Sequence, residues 1–160
     1  MPMNWELDVL SGGATMLTLS HLDPAVIDTT GWGIDINAIG ATVGLAKRTG
    51  EETSLAYYWK PDGTPVRPRE MPGSNNAMRF SALNTAGQAV GWTTTGSNYA
   101  LVAVRWSLQT DTTTSLTSLS GGSVNFKHAA DINDRGQIAV VDSASPSRWY
   151  LLTPKVAVVP

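Results

Sequence analysis

The chain has 160 residues, a length that suits one domain with a core of its own. It contains no cysteine, which excludes a disulfide scaffold, a cysteine-ligated metal and a cysteine nucleophile. The net charge is −2 and no basic run is longer than Lys47-Arg48, so nucleic acid is not an expected partner. Charged residues make up 15% of the chain and hydrophobic residues 42%, a balance typical of an all-β protein.

The N-terminal part of the chain differs from the rest. A strand is predicted at residues 5–10, where the pattern is that of the last strand of a repeat, and residues 14–30 form an insertion without a counterpart. The first residues lack the basic and apolar regions of a signal peptide, and no apolar run reaches the roughly 20 residues of a membrane helix. We expect no membrane insertion, and we expect the insertion to contact a partner or a ligand.

A turn motif then recurs three times along the chain. It consists of an apolar residue, Asn, two variable residues and Gly, followed by a short apolar strand. The asparagines are Asn37, Asn84 and Asn133, spaced 47 and 49 residues apart. The pattern predicts one all-β domain, residues 1–160, with three repeats of about 47 residues at 32–76, 77–125 and 126–160.

Each repeat has the pattern of four short strands. In the second repeat the strands are predicted at residues 78–83, 88–92, 100–106 and 115–119, and in the third repeat residues 156–159 are a candidate for the fourth strand. The Asn side chain opens the turn between the first two strands by bonding to nearby backbone. The Gly closes the turn in a conformation with positive φ.

Two further signatures accompany the turn. A Trp follows each motif, and Leu-Ser-Gly-Gly stands at residues 10–13 and 119–122. This combination resembles the bacterial HAF-type repeats, and the match extends over about residues 32–153, with Ala41 where the later repeats have Gln88 and Gln137. The resemblance implies a propeller-like all-β fold and an extracellular or cell-surface location.

Three four-stranded repeats are fewer than the four to eight blades of a propeller. One solution is a propeller-like fold that is completed by oligomerisation, in which two chains form a six-bladed ring and exchange strands. The alternative is a β-trefoil, which closes as a monomer. The first solution makes a second copy of the chain the expected partner.

The tryptophans divide into two groups. Those that recur once per repeat, Trp59, Trp106 and Trp149, are expected in the core. Trp32 and Trp92 lie nearer the edges of the repeats and are candidates for a ligand-binding surface, since tryptophan faces stack on sugar rings and cations.

Four charged residues beside the motifs are further candidates. Asp35 and Asp131 precede the turn Asn, and Arg105 and Arg148 precede the Trp. They serve either as structural hydrogen-bond partners or as a polar rim for carbohydrate hydroxyls. Residues 131–136 match only the start of a calcium loop, so no metal site is predicted.

No catalytic set is found in the sequence. His21 and His128 are the only histidines, and there is no Gly-x-Ser-x-Gly elbow, phosphate loop or dinucleotide fingerprint. The sequence therefore predicts no catalytic residue and no cofactor. It predicts a non-enzymatic, lectin-like, multivalent binding module for carbohydrate or another cell-surface ligand. The alternative is a structural protein that forms strand-exchanged oligomers or part of a larger complex.

Overall fold

A computed structural model of the chain describes residues 3–8, 13–18, 30–47 and 54–155, with the backbone alone for 3–8, 13–18 and residue 30. Within these ranges the regular secondary structure is strand apart from one short helix, and the all-β prediction is confirmed. The elements in chain order are β1 (Met3–Asp8), β2 (Gly13–Thr18), β3 (Thr30–Ile36), β4 (Thr42–Lys47), β5 (Leu55–Trp59), β6 (Pro65–Val66), β7 (Arg79–Leu83), β8 (Gln88–Thr95), β9 (Ala100–Ser107), β10 (Thr112–Ser115), α1 (Leu116–Leu119), β11 (Phe126–Ile132), β12 (Ile138–Asp142) and β13 (Trp149–Leu152).

The strands that follow the N-terminal hairpin form three antiparallel sheets. The first sheet has the order β3-β4-β5-β6, the second β7-β8-β9-β10 and the third β11-β12-β13. In each sheet every strand pairs with the strand that follows it in sequence, so each repeat makes a sheet of its own. The third sheet has three strands within the described part of the chain, and the candidate strand at 156–159 lies outside it.

The sequence pattern suggested that the N-terminal strand is the last strand of a repeat, but this strand pairs with the strand that follows it. It runs from Met3 to Asp8 and forms an antiparallel hairpin with β2, from Gly13 to Thr18. Part of the insertion predicted at residues 14–30 is therefore strand. Residues 19–29, the middle of that insertion, lie outside the described residues.

The second repeat matches its first three predicted strands but not the fourth. The segment 115–119, predicted as a strand, is mainly α1, and β10 lies in the Thr-rich segment that precedes it. β-Branched threonines suit an edge strand, and β10 pairs with β9. The Leu-Ser-Gly-Gly signature ends α1, because Gly121 and Gly122 have φ of +84° and +75° and donate N–H bonds back to the helix carbonyls.

The three sheets pack face to face in chain order. One apolar cluster lies between the first and second sheets, and another lies between the second and third. The second sheet is thus covered on both faces. On the far face of the first sheet a third cluster is buried, formed by Ala46, Leu55, Tyr57 and Trp59.

The recurring tryptophans are not equivalent in the structure. Trp59 and Trp106 are buried, as predicted, and the ring centroids of Trp106 and Tyr58 are 5.4 Å apart. The prediction that Trp149 is a core residue is wrong, since 66% of this residue is exposed. Trp106 lies opposite Ala89 on the neighbouring strand. The residue of the third sheet that corresponds to Ala89 is Ile138, and the residue opposite Ile138 is Leu152. Because side chains alternate along a strand, Trp149 lies on the opposite face from Leu152.

Candidate functional site

The Asn turns have the conformation that the sequence predicts. The Asn side-chain Oδ1 accepts a backbone N–H four residues later, at 2.9 Å for Asn37, 3.0 Å for Asn84 and 3.0 Å for Asn133. The closing glycines, Gly40, Gly87 and Gly136, have φ of +83°, +73° and +72°. A residue with a Cβ is disfavoured in this conformation, which explains the glycine.

The same asparagines also join one sheet to the next. The Asn37 Nδ2 donates to the Asn84 carbonyl oxygen at 2.9 Å, and the Asn84 Nδ2 donates to the Asn133 carbonyl oxygen at 3.2 Å. This series of side-chain bonds, which we call the Asn ladder, was not predicted from the sequence. The spacing of the motif was the available signal, because equal spacing places equivalent turns side by side when sheets stack.

Carboxylates strengthen two of these contacts. The Asp35 Oδ2 accepts the Leu83 N–H at 3.0 Å, from the first sheet to the second. The Asp134 Oδ1 accepts both the backbone N–H and the hydroxyl of Thr85 at 2.8 Å, and these bonds hold the pKa of Asp134 below its usual value. Asp35 thus acts between sheets, whereas Asp131 bonds to the adjacent Ile132 N–H at 2.8 Å and is exposed.

Arg148 takes part in a local network around Asp142. Its backbone N–H and its Nε donate to Asp142 at 2.9 and 3.1 Å, and the Tyr150 hydroxyl donates at 3.1 Å. The Asp142 side chain is 2% exposed, and the bond from the Arg148 N–H is the main reason why its pKa is lowered. This geometry fits a structural role for Arg148 in the loop between β12 and β13.

Arg105 lies in a groove between α1 and the end of β13. The groove has a volume of about 550 Å³, and Lys155 contributes a second cation to it. Within the part of the chain that the structure describes, neither cation forms an ion pair. Leucines and backbone make up most of the remaining wall: Leu116, Leu119, Gly121, Gly136, Leu151 and Leu152.

The six predicted site residues do not converge on one surface. Trp32 is about half exposed and lies on the first sheet with Asp35. The half-buried Trp92 shares a face of the second sheet with Arg105, although it does not line the groove. The last two, Asp131 and Arg148, belong to the third repeat.

A Ser–His contact joins the second and third sheets and was not predicted. The Ser81 Oγ and His128 Nε2 atoms are 3.3 Å apart, and burial, followed by the charge of Lys127, lowers the pKa of His128. In the described segments no carboxylate bonds to His128, so the contact is a pair and not a triad. No group of three or more His, Cys, Asp or Glu side chains that could hold a metal is found in these segments either.

The fold and the turns define this chain as an all-β protein whose antiparallel sheets stack in chain order. Neither a known family nor a curated protein matches the sequence. The similarity to HAF-type repeats stays a prediction. Among the described residues, no helix is long and apolar enough to cross a membrane.

Proposed function

We propose that the three sheets are consecutive blades of a propeller-like fold. Three features of the described residues support this arrangement: strands pair only within their own repeat, successive sheets stack face to face, and the Asn ladder joins equivalent turns. Propeller blades are small antiparallel sheets repeated around an axis. A β-trefoil would instead build one barrel from strands of all its repeats.

We further propose that the chain is a non-enzymatic binding module for an acidic carbohydrate. The observation that carries this proposal is the groove with Arg105 and Lys155, two cations without an acidic partner among the described residues. A guanidinium binds a carboxylate through two parallel hydrogen bonds, and an ammonium adds a second point charge. Leu119 and Leu151 provide exposed apolar surface for the C–H face of a sugar ring.

The groove lies between the second and third repeats, and the first sheet does not supply an equivalent cation. In the first sheet the residue equivalent to Arg105 is Tyr58. Arg105 pairs with Val90 and Tyr58 pairs with Val43, and the two valines hold the same position after their Asn turns. Tyr58 is buried in the core, so it offers no cation and no groove. Multivalent binding would therefore come from several copies of the chain, each with one such groove.

Titration calorimetry with acidic oligosaccharides and their neutral counterparts tests this proposal. We expect binding of the acidic ligands that weakens as salt is added, because charge attraction is screened. Arg105→Gln and Lys155→Gln should each weaken binding by about tenfold or more. The control is Lys60→Gln, an exposed lysine outside the groove, which should leave binding unchanged. Equal binding of neutral and acidic ligands would contradict the proposed role of the two cations.

A further inference from the structure

Two equivalent positions form the turn end of each interface between neighbouring sheets. One lies on the third strand of the earlier sheet and the other on the third strand of the later sheet. Between the first and second sheets these positions hold Tyr58, which pairs with Val43, and Trp106, which pairs with Ala89. Both side chains are buried, and their ring centroids are 5.4 Å apart. Two packed rings therefore fill this end of the first interface.

The interface between the second and third sheets has different side chains at the same two positions. Arg105 takes the place of Tyr58. Leu152 takes the place of Trp106, because it lies opposite Ile138. Arg105 and Leu152 both line the groove of about 550 Å³. The groove thus lies at the end of the interface that is filled by an indole and a phenol between the first two sheets.

A third pair of residues shows the same difference. Met71 and Leu119 each stand two residues before a glycine with positive φ, Gly73 and Gly121. Met71 packs against the apolar cluster between the first and second sheets. Leu119 lines the groove and is 50% exposed. The residue that corresponds to a covered methionine is therefore open to a ligand.

The rest of the second interface is closed. Phe126, Ala129 and Val140 are buried between the second and third sheets. The opening is therefore confined to the turn end, where Arg105 and Leu152 lie beside α1. A confined opening with an apolar wall and a few polar groups is typical of a ligand site, whereas a general separation of the sheets would expose the whole interface.

We infer that the groove contains a ring subsite between Arg105 and Leu152, and that its ligand is an acidic saccharide with an aryl substituent. A guanidinium stacks on an aromatic ring with its face and donates hydrogen bonds to a carboxylate along its edge. Arg105 can therefore contact the ring and the acid of one ligand, while Lys155 adds attraction for the acid. The inference rests on the proposed function of the groove and names the chemistry of its ligand.

An aryl ring fits this subsite better than a second sugar ring does. The group that fills the equivalent space between the first two sheets is aromatic, namely the indole of Trp106. A pyranose carries hydroxyls around its edge, and these would lose water against leucine side chains without gaining hydrogen bonds. An aryl ring removes apolar surface from water without that cost.

Calorimetry with phenyl and methyl glucuronide, and with phenyl and methyl glucoside, tests the subsite separately from the cations. We expect the phenyl compound of each pair to bind about tenfold tighter than the methyl compound. Equal affinities within both pairs would overturn the inference, and so would the absence of binding to all four compounds when acidic oligosaccharides bind. A phenyl preference without any preference for the acidic pair would overturn the role of the cations and leave the subsite standing.

Leu152→Trp copies the filled interface into the open one. The new indole should occupy the subsite and abolish the phenyl preference, although Arg105 and Lys155 remain. The melting temperature should not fall, because the indole enters space that is open in the unchanged chain. The control Leu101→Trp adds the same group at an exposed position at the far end of the second sheet and should keep the preference.

Retention of the phenyl preference by a folded Leu152→Trp variant would overturn the inference. Leu152→Phe, which has a smaller ring, takes its place if the indole variant does not fold, and the same outcomes apply to it. Circular dichroism checks the fold of each variant.

A short peptide with Trp next to Glu tests an aromatic and acidic partner protein as the occupant. The peptide presents a ring and a carboxylate without a sugar. We expect it to bind at least about tenfold more weakly than phenyl glucuronide, because a flexible peptide loses more conformational freedom when it binds. Equal or tighter binding of the peptide would overturn the assignment to a saccharide.

Discussion

The second and third sheets contain the same turn motif in different surroundings. In the second sheet Asn84 is 2% exposed and Trp106 is fully buried, because a sheet covers each face. In the third sheet Asn133 is exposed, and so is Trp149. The comparison shows that the motif determines the turn, whereas burial of its Asn depends on the neighbouring sheets and burial of the Trp depends on its position along the strand.

The two tryptophans give the largest expected difference. Trp106→Ala removes a ring that packs on Tyr58 and Phe80 and leaves Asp111 without its indole donor. We expect a loss of about 3–5 kcal/mol in the free energy of unfolding. Trp149→Ala should change it by less than about 0.5 kcal/mol, because the residue is exposed. Urea denaturation at low protein concentration measures both, and similar losses would contradict the placement of Trp149.

A glycine in the second sheet tests how closely the strands approach. A Cβ on Gly91 would overlap the Arg79 carbonyl oxygen, and backbone cannot move aside as a side chain does. We expect Gly91→Ala to destabilise the protein by about 1–3 kcal/mol. The control is Gly33→Ala, where the only described neighbour that the new Cβ meets is the Thr42 methyl, at 3.5 Å. Thermal unfolding of both variants should show a clear shift for the first alone.

The Asn ladder predicts a smaller difference between equivalent residues. Asn84→Ala removes one bond to the third sheet and two within its turn, and leaves the part-buried Gln88 N–H without its side-chain acceptor. We expect it to cost about 2 kcal/mol, and Asn133→Ala about 1 kcal/mol, because water can replace the lost partners at the exposed site. Equal costs in urea denaturation would indicate that the bond across the sheets contributes little.

The smallest effect concerns acid stability of the third sheet. The Arg148 N–H and the other donors hold the pKa of Asp142 below its usual value, so the unfolded chain binds a proton at a higher pH than the folded chain does. The stabilisation is complete above the usual aspartate pKa and is lost as the pH falls through the lowered one. Unfolding followed from pH 6 down to about pH 2 should show this loss, and Asp142→Asn should reduce it. An unchanged acid profile in that variant would contradict the network.

Much of the fold could be predicted because its signals are local. The Asn and Gly of each turn act within five residues, and the strands before and after them alternate in a readable pattern. The position of Trp149 could not be predicted in the same way, because the connection after β12 changes which residue lies opposite Ile138. The Asn ladder and the groove combine residues from different sheets, so they require the stacking itself.

The outer edge of β13 has a consequence for solubility. Within the residues that the structure describes, no strand pairs with this edge, and free backbone groups on an apolar strand favour aggregation. The strand is only four residues long, and Pro154 and Lys155 follow it closely. A proline has no N–H to donate, and a lysine resists burial, so both oppose the growth of a longer cross-chain sheet. Replacing these two residues should therefore increase precipitation more than it changes folding.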